Sequence, residues 1–266
     1  MRNLLIFDIE TVLDTSVVVG LMGKEYEGKS EKELREALIE YHLKITDGKN
    51  SFARQLFHKV VCAACLLAKP KPIEGKSDEI FYSVSTVKNI GDADASEKEI
   101  VSGFFDIFNK QQPLLVSFNG KMFDVPVLKY RAMKHGISAG GFHKAGDKWG
   151  NYNNKFSKDW HCDLIEALSD YGTSAKIKLK EICALLNVPC KIDGSGNEVE
   201  QMYDDGEIDK IRDYCEQDVV GTYLVYLSYA LHTGDLTTNG YEKSLESLYE
   251  YIKDNDKQNL ADFKPI

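Results

Sequence analysis

The feature that most constrains the fold of this chain is a short apolar segment that runs directly into acidic residues. Residues 3–9 predict a buried β-strand, and Asp8-Ile-Glu10 closes it without an intervening turn. Side chains two positions apart on a strand point to the same face, so Asp8 and Glu10 should lie side by side. Two such charges repel, and a divalent cation that prefers oxygen ligands would remove the repulsion. The alternative is a polar strand end in solvent, and the spacing alone does not decide between them.

Patterns further along the chain predict a mixed sheet flanked by helices. Strands are expected at 60–68, 79–87 and 113–118, and Pro70 and Pro72 are expected to end the first of these because proline cannot continue a ladder. An insert at about 20–50 should be helical, since Ser30 and Glu33 form a capping box. Residues 138–160 predict a long surface loop. Further helices are predicted at 96–109, 124–135, 164–168, 178–186, 207–214, 216–231 and 241–252. The order of elements indicates an α/β fold around a mixed central sheet.

The charge and hydropathy of the chain narrow the classes of function. A formal net charge of −9 argues against a large duplex-binding surface, because such surfaces neutralise phosphates with basic residues. It is compatible with an enzyme that grips a few nucleotides through metal ions, since part of the negative charge would then be the ligand set. No stretch approaches the roughly 20 apolar residues of a membrane helix. The apolar run at the N-terminus is too short for a signal peptide, and a cytoplasmic location is expected.

Cys62 and Cys65 have the spacing of a zinc or redox motif. They lie in a continuous apolar run that predicts a buried strand. Residues three apart on a strand face opposite sides of the sheet, so the two thiols cannot share a metal there. The sequence therefore predicts reduced cysteines in the core.

Two further segments carry acidic residues at positions suited to chemistry. Asp124 follows a predicted strand and an Asn-Gly turn and stands at the start of a helix, where aspartate is a common N-cap. Tyr214 and Asp218 are four residues apart on a predicted helix, so a phenol and a carboxylate share one face and can approach one metal and its water. The alternative for this pair is a surface helix with a partly buried tyrosine. Neither segment is informative by itself.

Together, and in this order, these segments resemble the tyrosine-containing branch of the DnaQ-like 3′–5′ exonucleases. The three motifs are Asp8-Ile-Glu10, Asn119-Gly-Lys-Met-Phe123-Asp124 and Tyr214-Cys-Glu-Gln-Asp218. Segments 55–61, 128–132, 161–164 and 211–226 are similar to predicted exonucleases related to the proofreading domain of family-B DNA polymerases. The resemblance implies an RNase H-like exonuclease domain over residues 1–235, followed by a helical extension over 236–266.

The resemblance also implies a two-metal site for Mg²⁺ or Mn²⁺ at the scissile phosphate. Asp8, Glu10 and Asp218 would hold one ion, and Asp8 and Asp124 would help to place the other. Tyr214 would orient the attacking water, since an unperturbed phenol with a pKa of about 10 is a poor base at neutral pH. Mg²⁺ often completes its shell with substrate phosphate and water, so the second ion is expected to arrive with the substrate.

Other positions that match the family line the pocket for the 3′-terminal nucleotides. They are Thr11, Asn119 and Phe123. Phe123 could stack on a base or simply pack at the helix entry. Asp163 is expected to support the site rather than to bind metal. His143 and His161 receive no catalytic role, because Tyr214 stands at the position of the base.

The implied partner is a nucleic acid 3′ end. Similarity to the polymerase-associated group favours DNA over RNA, single-stranded DNA in particular, and DNA repair or end trimming as the role. An exoribonuclease of the same fold stays open, since a two-metal site ignores the sugar unless a residue reads the 2′-OH. A catalytically silent binding module is disfavoured, because all four carboxylates and Tyr214 are retained. Since this chain contains no polymerase domain, it is expected to act alone, in a complex, or with a separate polymerase or repair partner.

Overall fold

The computed structural model describes residues 2–189 and 196–263. Within them, five strands form one sheet in the order β3-β2-β1-β4-β5. Their bounds are Leu4–Leu13 (β1), His58–Ile73 (β2), Lys76–Asn89 (β3), Leu114–Ser117 (β4) and His161–Asp163 (β5). Neighbours among β1, β2 and β3 are antiparallel, whereas β4 runs parallel to both β1 and β5. The predicted α/β class with a mixed central sheet flanked by helices is confirmed.

Alternate residues of β1 face two separate helical layers. Leu5 and Phe7 pack in the core layer that contains α3 (Glu97–Lys110) and α4 (Asp124–Lys134). Leu4 and Ile6 pack in the opposite layer, which contains the long helix α9 (Ile208–Thr233). Because the side-chain period of a strand is two, Asp8 and Glu10 continue the row of Leu4 and Ile6 and face α9. The amphipathic pattern of one strand thus directs both carboxylates toward the helix that carries Tyr214 and Asp218.

Strand β2 is longer than the sequence predicted. It continues to Ile73, so the expectation that Pro70 and Pro72 end the strand was wrong. Pairing with β1 stops at Ala68, and the rest of β2 pairs only with β3. Pro70 and Pro72 are two residues apart, so their backbone nitrogens point to the same side of the strand. Proline is tolerated there because this part of β2 has a neighbouring strand on only one side.

Cys62 and Cys65 lie on opposite faces of β2, as the period of a strand predicts. Cys62 belongs to the core layer of α9 and Cys65 to the layer of α3 and α4. Both thiols are buried and reduced, as are those of Cys162, Cys183 and Cys215. The sixth cysteine, Cys190, lies outside the described residues.

The insert between β1 and β2 is helical, as predicted. It contains α1 (Val18–Met22) and α2 (Glu31–Ile45), and the capping box of Ser30 and Glu33 is present. The insert has a small core of its own, in which Val18 and Leu38 pack with Phe57.

The prediction of a surface loop at 138–160 was only partly right. The segment opens with α5 (Gly140–His143), and the rings of Phe142 and Tyr152 are buried against Phe108. A polar stretch does not imply exposure of its aromatic residues, because Phe142, Tyr152 and Trp160 are buried and anchor this loop on the core.

The helices of the second half surround the face of the sheet that carries Asp8. They are α6 (Leu164–Leu168), α7 (Leu179–Leu186), α8 (Gly196–Asp204), α9 and α10 (Thr238–Asp254). The two helices predicted at 207–214 and 216–231 are one continuous helix, and α8 was not predicted. None of the helices in the described ranges has the length and apolarity needed to cross a membrane.

The helix α10 covers the outer strand of the sheet. The hydroxyl oxygens of Ser244 and Ser247 accept hydrogen bonds from the backbone N–H groups of Tyr82 and Val84, at 2.9 and 3.0 Å. Leu248 joins the same core layer as α9. An exposed strand edge invites pairing with other chains, and α10 protects this one. The domain boundary after residue 235 stays a prediction.

Candidate active site

Three carboxylates from two elements converge beside the second half of β1. This strand continues past Glu10 to Leu13, so the prediction that Asp8-Ile-Glu10 closes it was wrong. Ligand oxygen atoms of Asp8, Glu10 and Asp218 all lie within 4.8 Å of one another. Each of the three side chains is half-buried and therefore open to small solutes. Hard oxygen donors at this separation suit Mg²⁺ or Mn²⁺. The donor set therefore fits a divalent cation of the predicted type.

Asp124 reaches the same region from another element. It is the first residue of α4, is only 5% exposed, and its Oδ1 accepts a hydrogen bond of 3.2 Å from the Ile9 backbone N–H. It stands outside the group of three mutually close carboxylates, but its charge contributes to raising the pKa of both Asp8 and Glu10. The interpretation of Asp124 as an N-cap was wrong, because Phe123 occupies the N-cap position.

Burial and mutual repulsion disfavour the charged forms of these acids. Burial, followed by the charge of Asp218, raises the pKa of Glu10 to about 8. Burial likewise raises the pKa of Asp124 to about 7 and holds the pKa of Asp8 well above its usual value. Among the described residues, no lysine, arginine or histidine forms a salt bridge with Asp8, Glu10 or Asp124. Acids buried beside one another in this way are the arrangement that a bound metal ion would neutralise.

The turn before Asp124 is held by another buried aspartate. Asp163, at the end of β5, accepts backbone N–H bonds from Asn119 at 2.7 Å and from Lys121 at 2.8 Å. Asn119 has φ of 70°, and a Cβ at Gly120 would lie 2.5 Å from the Ser117 Oγ. The Asn-Gly pair is thus required by the tight path of the turn. Asp163 supports the site through the backbone, in keeping with the supporting role predicted for it.

An aromatic group lies next to the carboxylates. The ring of Phe123 meets His58 edge-on at 5.0 Å and lies 5.5 Å from the ring of Phe52. Phe52 in turn stacks on His58 and is 54% exposed. Phe123, one of the predicted pocket residues, is therefore part of an aromatic wall that includes two residues the motifs did not single out. His58 lay within the matched segment 55–61, which was the available signal.

Thr11 contacts this wall through a hydrogen bond that has a defined direction. His58 Nε2 faces the Ala53 carbonyl at 3.2 Å, and a carbonyl can only accept, so Nε2 carries the proton. Burial lowers the pKa of His58, which leaves Nδ1 without a proton. The Thr11 hydroxyl, 3.0 Å from Nδ1, is consequently the donor, and its oxygen can accept from a ligand. Thr11 follows Glu10 at an irregularity in the pairing of β1 and β2, where Val61 is the extra residue.

Tyr214 and Asp218 lie one turn apart on α9 and are both half-buried. Between them, the Cys215 thiol approaches the Asp8 carbonyl at 3.4 Å and the Asp8 Oδ2 at 3.7 Å. Cys215 thus contacts the carboxylate cluster, a role that no motif indicated. His161 is fully buried, and its Nε2 lies 2.7 Å from the Ser117 hydroxyl.

Comparisons with known proteins give the chain its family. The profile of a family described as "Predicted 3'-5' exonuclease related to the exonuclease domain of PolB" matches residues 50–265. The catalytic polypeptide of DNA polymerase epsilon from Dictyostelium discoideum is 29% identical over 154 residues, which cover 56% of this chain and 6% of that protein. The family B DNA polymerase of Pyrobaculum calidifontis aligns with a TM-score of 0.46 and 17% identity, over 94% of this chain and 29% of that one. The chain thus spans only a small part of these relatives.

The family match covers the larger part of the chain. It includes Asp124, Tyr214 and Asp218, whereas Asp8 and Glu10 precede it. The mixed sheet and the flanking helices agree with the α/β fold expected of such a domain. The chain belongs to the family of predicted 3′–5′ exonucleases related to the exonuclease domain of PolB.

Proposed function

We propose that this protein hydrolyses phosphodiester bonds from the 3′ end of single-stranded DNA with the help of two divalent metal ions. The observation that carries the proposal is the convergence of Asp8, Glu10 and Asp218, with ligand oxygens within 4.8 Å of one another, in a member of an exonuclease family. Like charges gathered this closely are unfavourable unless they bind a cation.

The residues divide between two positions for Mg²⁺ or Mn²⁺. Asp8, Glu10 and Asp218 would hold one ion, and Asp8 and Asp124 would hold the second. When bound, such a pair of ions supplies the positive charge that stabilises the attacking and leaving oxygens of a phosphodiester. Asp124 stands outside the close group, which supports a second ion that binds together with the substrate phosphate.

The other residues of the site would position the substrate. Tyr214, one turn before Asp218, would hold the attacking water by a hydrogen bond from its hydroxyl group. Glu10 would also accept a hydrogen bond from the terminal sugar hydroxyl, and the Thr11 oxygen is free to accept one, since its proton is donated to His58. Phe123 would stack on a base, because its ring is only half-buried and is held by an edge-on contact with His58 and a tilted contact with Phe52.

The choice of DNA rests on the relation to polymerase exonuclease domains. The same relation favours a role in repair or end trimming, beside a separate polymerase or repair partner. The expected cytoplasmic location is a proposal from the sequence. A 3′–5′ exoribonuclease would use the same carboxylates, so the substrate must be tested directly.

The test is cleavage of a 5′-labelled 20-nucleotide DNA oligomer with Mg²⁺ or Mn²⁺, next to an EDTA sample. Shortening from the 3′ end, absent with EDTA and in Asp8→Ala, is expected. Asp254→Ala, an exposed acid at the end of α10, is the matched control and should retain full activity. Full cleavage by Asp8→Ala would overturn the site, and faster degradation of the matched RNA oligomer would overturn the choice of DNA.

A further inference from the structure

Residues 144–158, here called the basic-aromatic loop, expose two large rings to solvent. Trp149 is 74% and Phe156 67% exposed, although Tyr152 of the same loop is 3% exposed. Trp160, just after the loop, is 9% exposed. Aromatic rings are usually withdrawn from water because they bury a large apolar area. The segment therefore buries Tyr152 and Trp160 in the core but leaves Trp149 and Phe156 exposed to solvent.

The loop is fixed by its own side chains rather than loosely attached. Asp147 Oδ1 accepts from the N–H groups of Trp149 and Gly150, both at 2.7 Å. Asn154 Oδ1 accepts from the Phe156 N–H at 2.9 Å, while its Nδ2 donates to the Trp149 carbonyl at 2.5 Å. One asparagine thus ties the backbone of both ring-bearing residues together. Rings presented on a fixed backbone lose little further freedom when they bind a partner.

Cations accompany both rings. Lys148 Nζ lies 4.9 Å from the Trp149 ring centroid, and Lys155 Nζ lies 5.8 Å from that of Phe156. Lys155 also pairs with Glu166 at 3.2 Å, so part of its charge is already compensated. The loop holds four lysines against one aspartate, in a chain whose net charge is −9. A flat ring beside a cation matches a nucleobase beside a phosphate, the repeating unit of a single strand.

The loop adjoins the turn that leads to Asp124. Lys121, in that turn, donates from Nζ to the Lys155 carbonyl at 2.7 Å. Lys129, on α4, donates to Asn153 Oδ1 at 3.0 Å. We infer that the basic-aromatic loop binds single-stranded DNA upstream of the 3′ end, with bases stacked on Phe156 and Trp149. The inference rests on the proposed function and adds a surface that would hold the strand between successive cleavages.

The first test uses the intrinsic fluorescence of Trp149, the exposed one of the two tryptophans. Titration with a 20-nucleotide oligothymidine in EDTA, where no cleavage is expected, should quench this emission. Trp149→Phe should lose the quench and retain affinity in a labelled-oligomer anisotropy assay. Trp149→Ala/Phe156→Ala should lose about tenfold or more in affinity, since stacking on each ring contributes. Met133→Ala, a 77% exposed side chain on α4, is the matched control and should not change affinity.

The second test compares substrate lengths in the presence of Mg²⁺. The double variant should raise KM for a 20-nucleotide oligomer about tenfold and leave the cleavage of a dinucleotide unchanged, because a dinucleotide has no further upstream bases to stack on the loop. Equal losses of cleavage on both substrate lengths would overturn the loop as a binding surface. So would the absence of Trp149 quenching in the unmodified protein together with an unchanged affinity of the double variant for DNA. Quenching without cleavage of any oligomer would support the surface while refuting the proposed exonuclease activity.

Discussion

Two groups of buried acids in this molecule have opposite electrostatics. The Arg131 cluster consists of Asp14, Glu97, Arg131, Lys134 and His135. In it Arg131, 3% exposed, donates to both carboxylates, and Lys134 adds a bond of 2.6 Å to Asp14. The candidate metal centre of Asp8, Glu10 and Asp218, with Asp124 beside it, gathers acids whose like charges repel one another. Burial is common to both groups, so burial alone does not identify a catalytic site.

The direction of the pKa shifts separates the two groups. Burial opposes the charged forms of Asp14 and Glu97, but hydrogen bonds outweigh burial and lower both pKa values. Asp14 accepts from Lys134, Ser16 and Arg131. Glu97 accepts from Arg131 and His135. At the metal centre burial and like charges act together, and the pKa values of Asp8 and Glu10 rise. The protein stabilises the charged forms of Asp14 and Glu97 with its own cations, whereas burial and like charges favour the protonated forms of Asp8 and Glu10.

The largest expected effect comes from removing the cation of the first group. Arg131→Met leaves Asp14 and Glu97 buried without their guanidinium and should lower the free energy of unfolding by about 3–5 kcal/mol. Urea denaturation followed by circular dichroism measures this change. Lys134→Met is the control, since that side chain is 42% exposed and its pair should contribute much less. Equal losses for the two variants would contradict the contrast.

The pH dependence of stability should reveal the second group. Glu10 and Asp124 have folded pKa values of about 8 and 7 against ordinary values of 4.5 and 3.8. Between about pH 5 and 8 the folded protein holds protons that the unfolded chain has released, so stability falls as pH rises through this range. Asp14 and Glu97, whose pKa values are lowered, lose their contribution only in acid.

The measurement is urea denaturation at several pH values in EDTA, repeated with saturating Mg²⁺. The ion binds the deprotonated acids of the folded state, and it should remove most of the fall. If the free energy of unfolding without metal stays level or increases between pH 5 and 8, Glu10 and Asp124 do not have raised pKa values in the folded protein.

A neutral substitution at the metal centre should act in the opposite direction from Arg131→Met. Glu10→Gln removes one of the repelling charges and should raise the metal-free stability at pH 9 by about 1–2 kcal/mol. The same change should abolish much of the stabilisation by Mg²⁺, because one ligand is lost. Thermal unfolding at pH 9 with and without Mg²⁺ tests both expectations. Asp254→Asn, at an exposed site, should change neither quantity.

The comparison also shows what the sequence can predict. The alternation of Leu4 to Glu10 and the four-residue spacing of Tyr214 and Asp218 predicted which side chains share a face, because both periods are local properties. That the acids of the strand and the helix would meet was implied only by the resemblance to the exonuclease family. The Arg131 cluster was not predicted, because Arg131 is 34 residues from Glu97 and 117 from Asp14. Pairing at such distances depends on how α4 packs, which no local pattern contains.

Glu216 provides a third case, in which a compensated acid lies between two residues of the candidate site. It is 4% exposed on α9 and accepts from Lys257 Nζ and Asn259 Nδ2, both at 2.9 Å. Because Glu216 stands between Tyr214 and Asp218, these bonds from the C-terminal segment hold the turn of α9 that carries both. Lys257→Met should therefore reduce cleavage about tenfold and weaken the response to Mg²⁺, as losses of supporting bonds do at metal sites.

Initial cleavage rates over a Mg²⁺ titration measure this last effect. Lys257→Arg, which restores a cation, should recover most of the activity, and Lys253→Met, an exposed lysine in the last turn of α10, should behave like the unmodified protein. A purely structural role would lower stability and leave the Mg²⁺ concentration at half-maximal rate unchanged. A shift of that concentration to higher values would instead show that Glu216, paired with Lys257, controls the geometry of the acids that bind Mg²⁺.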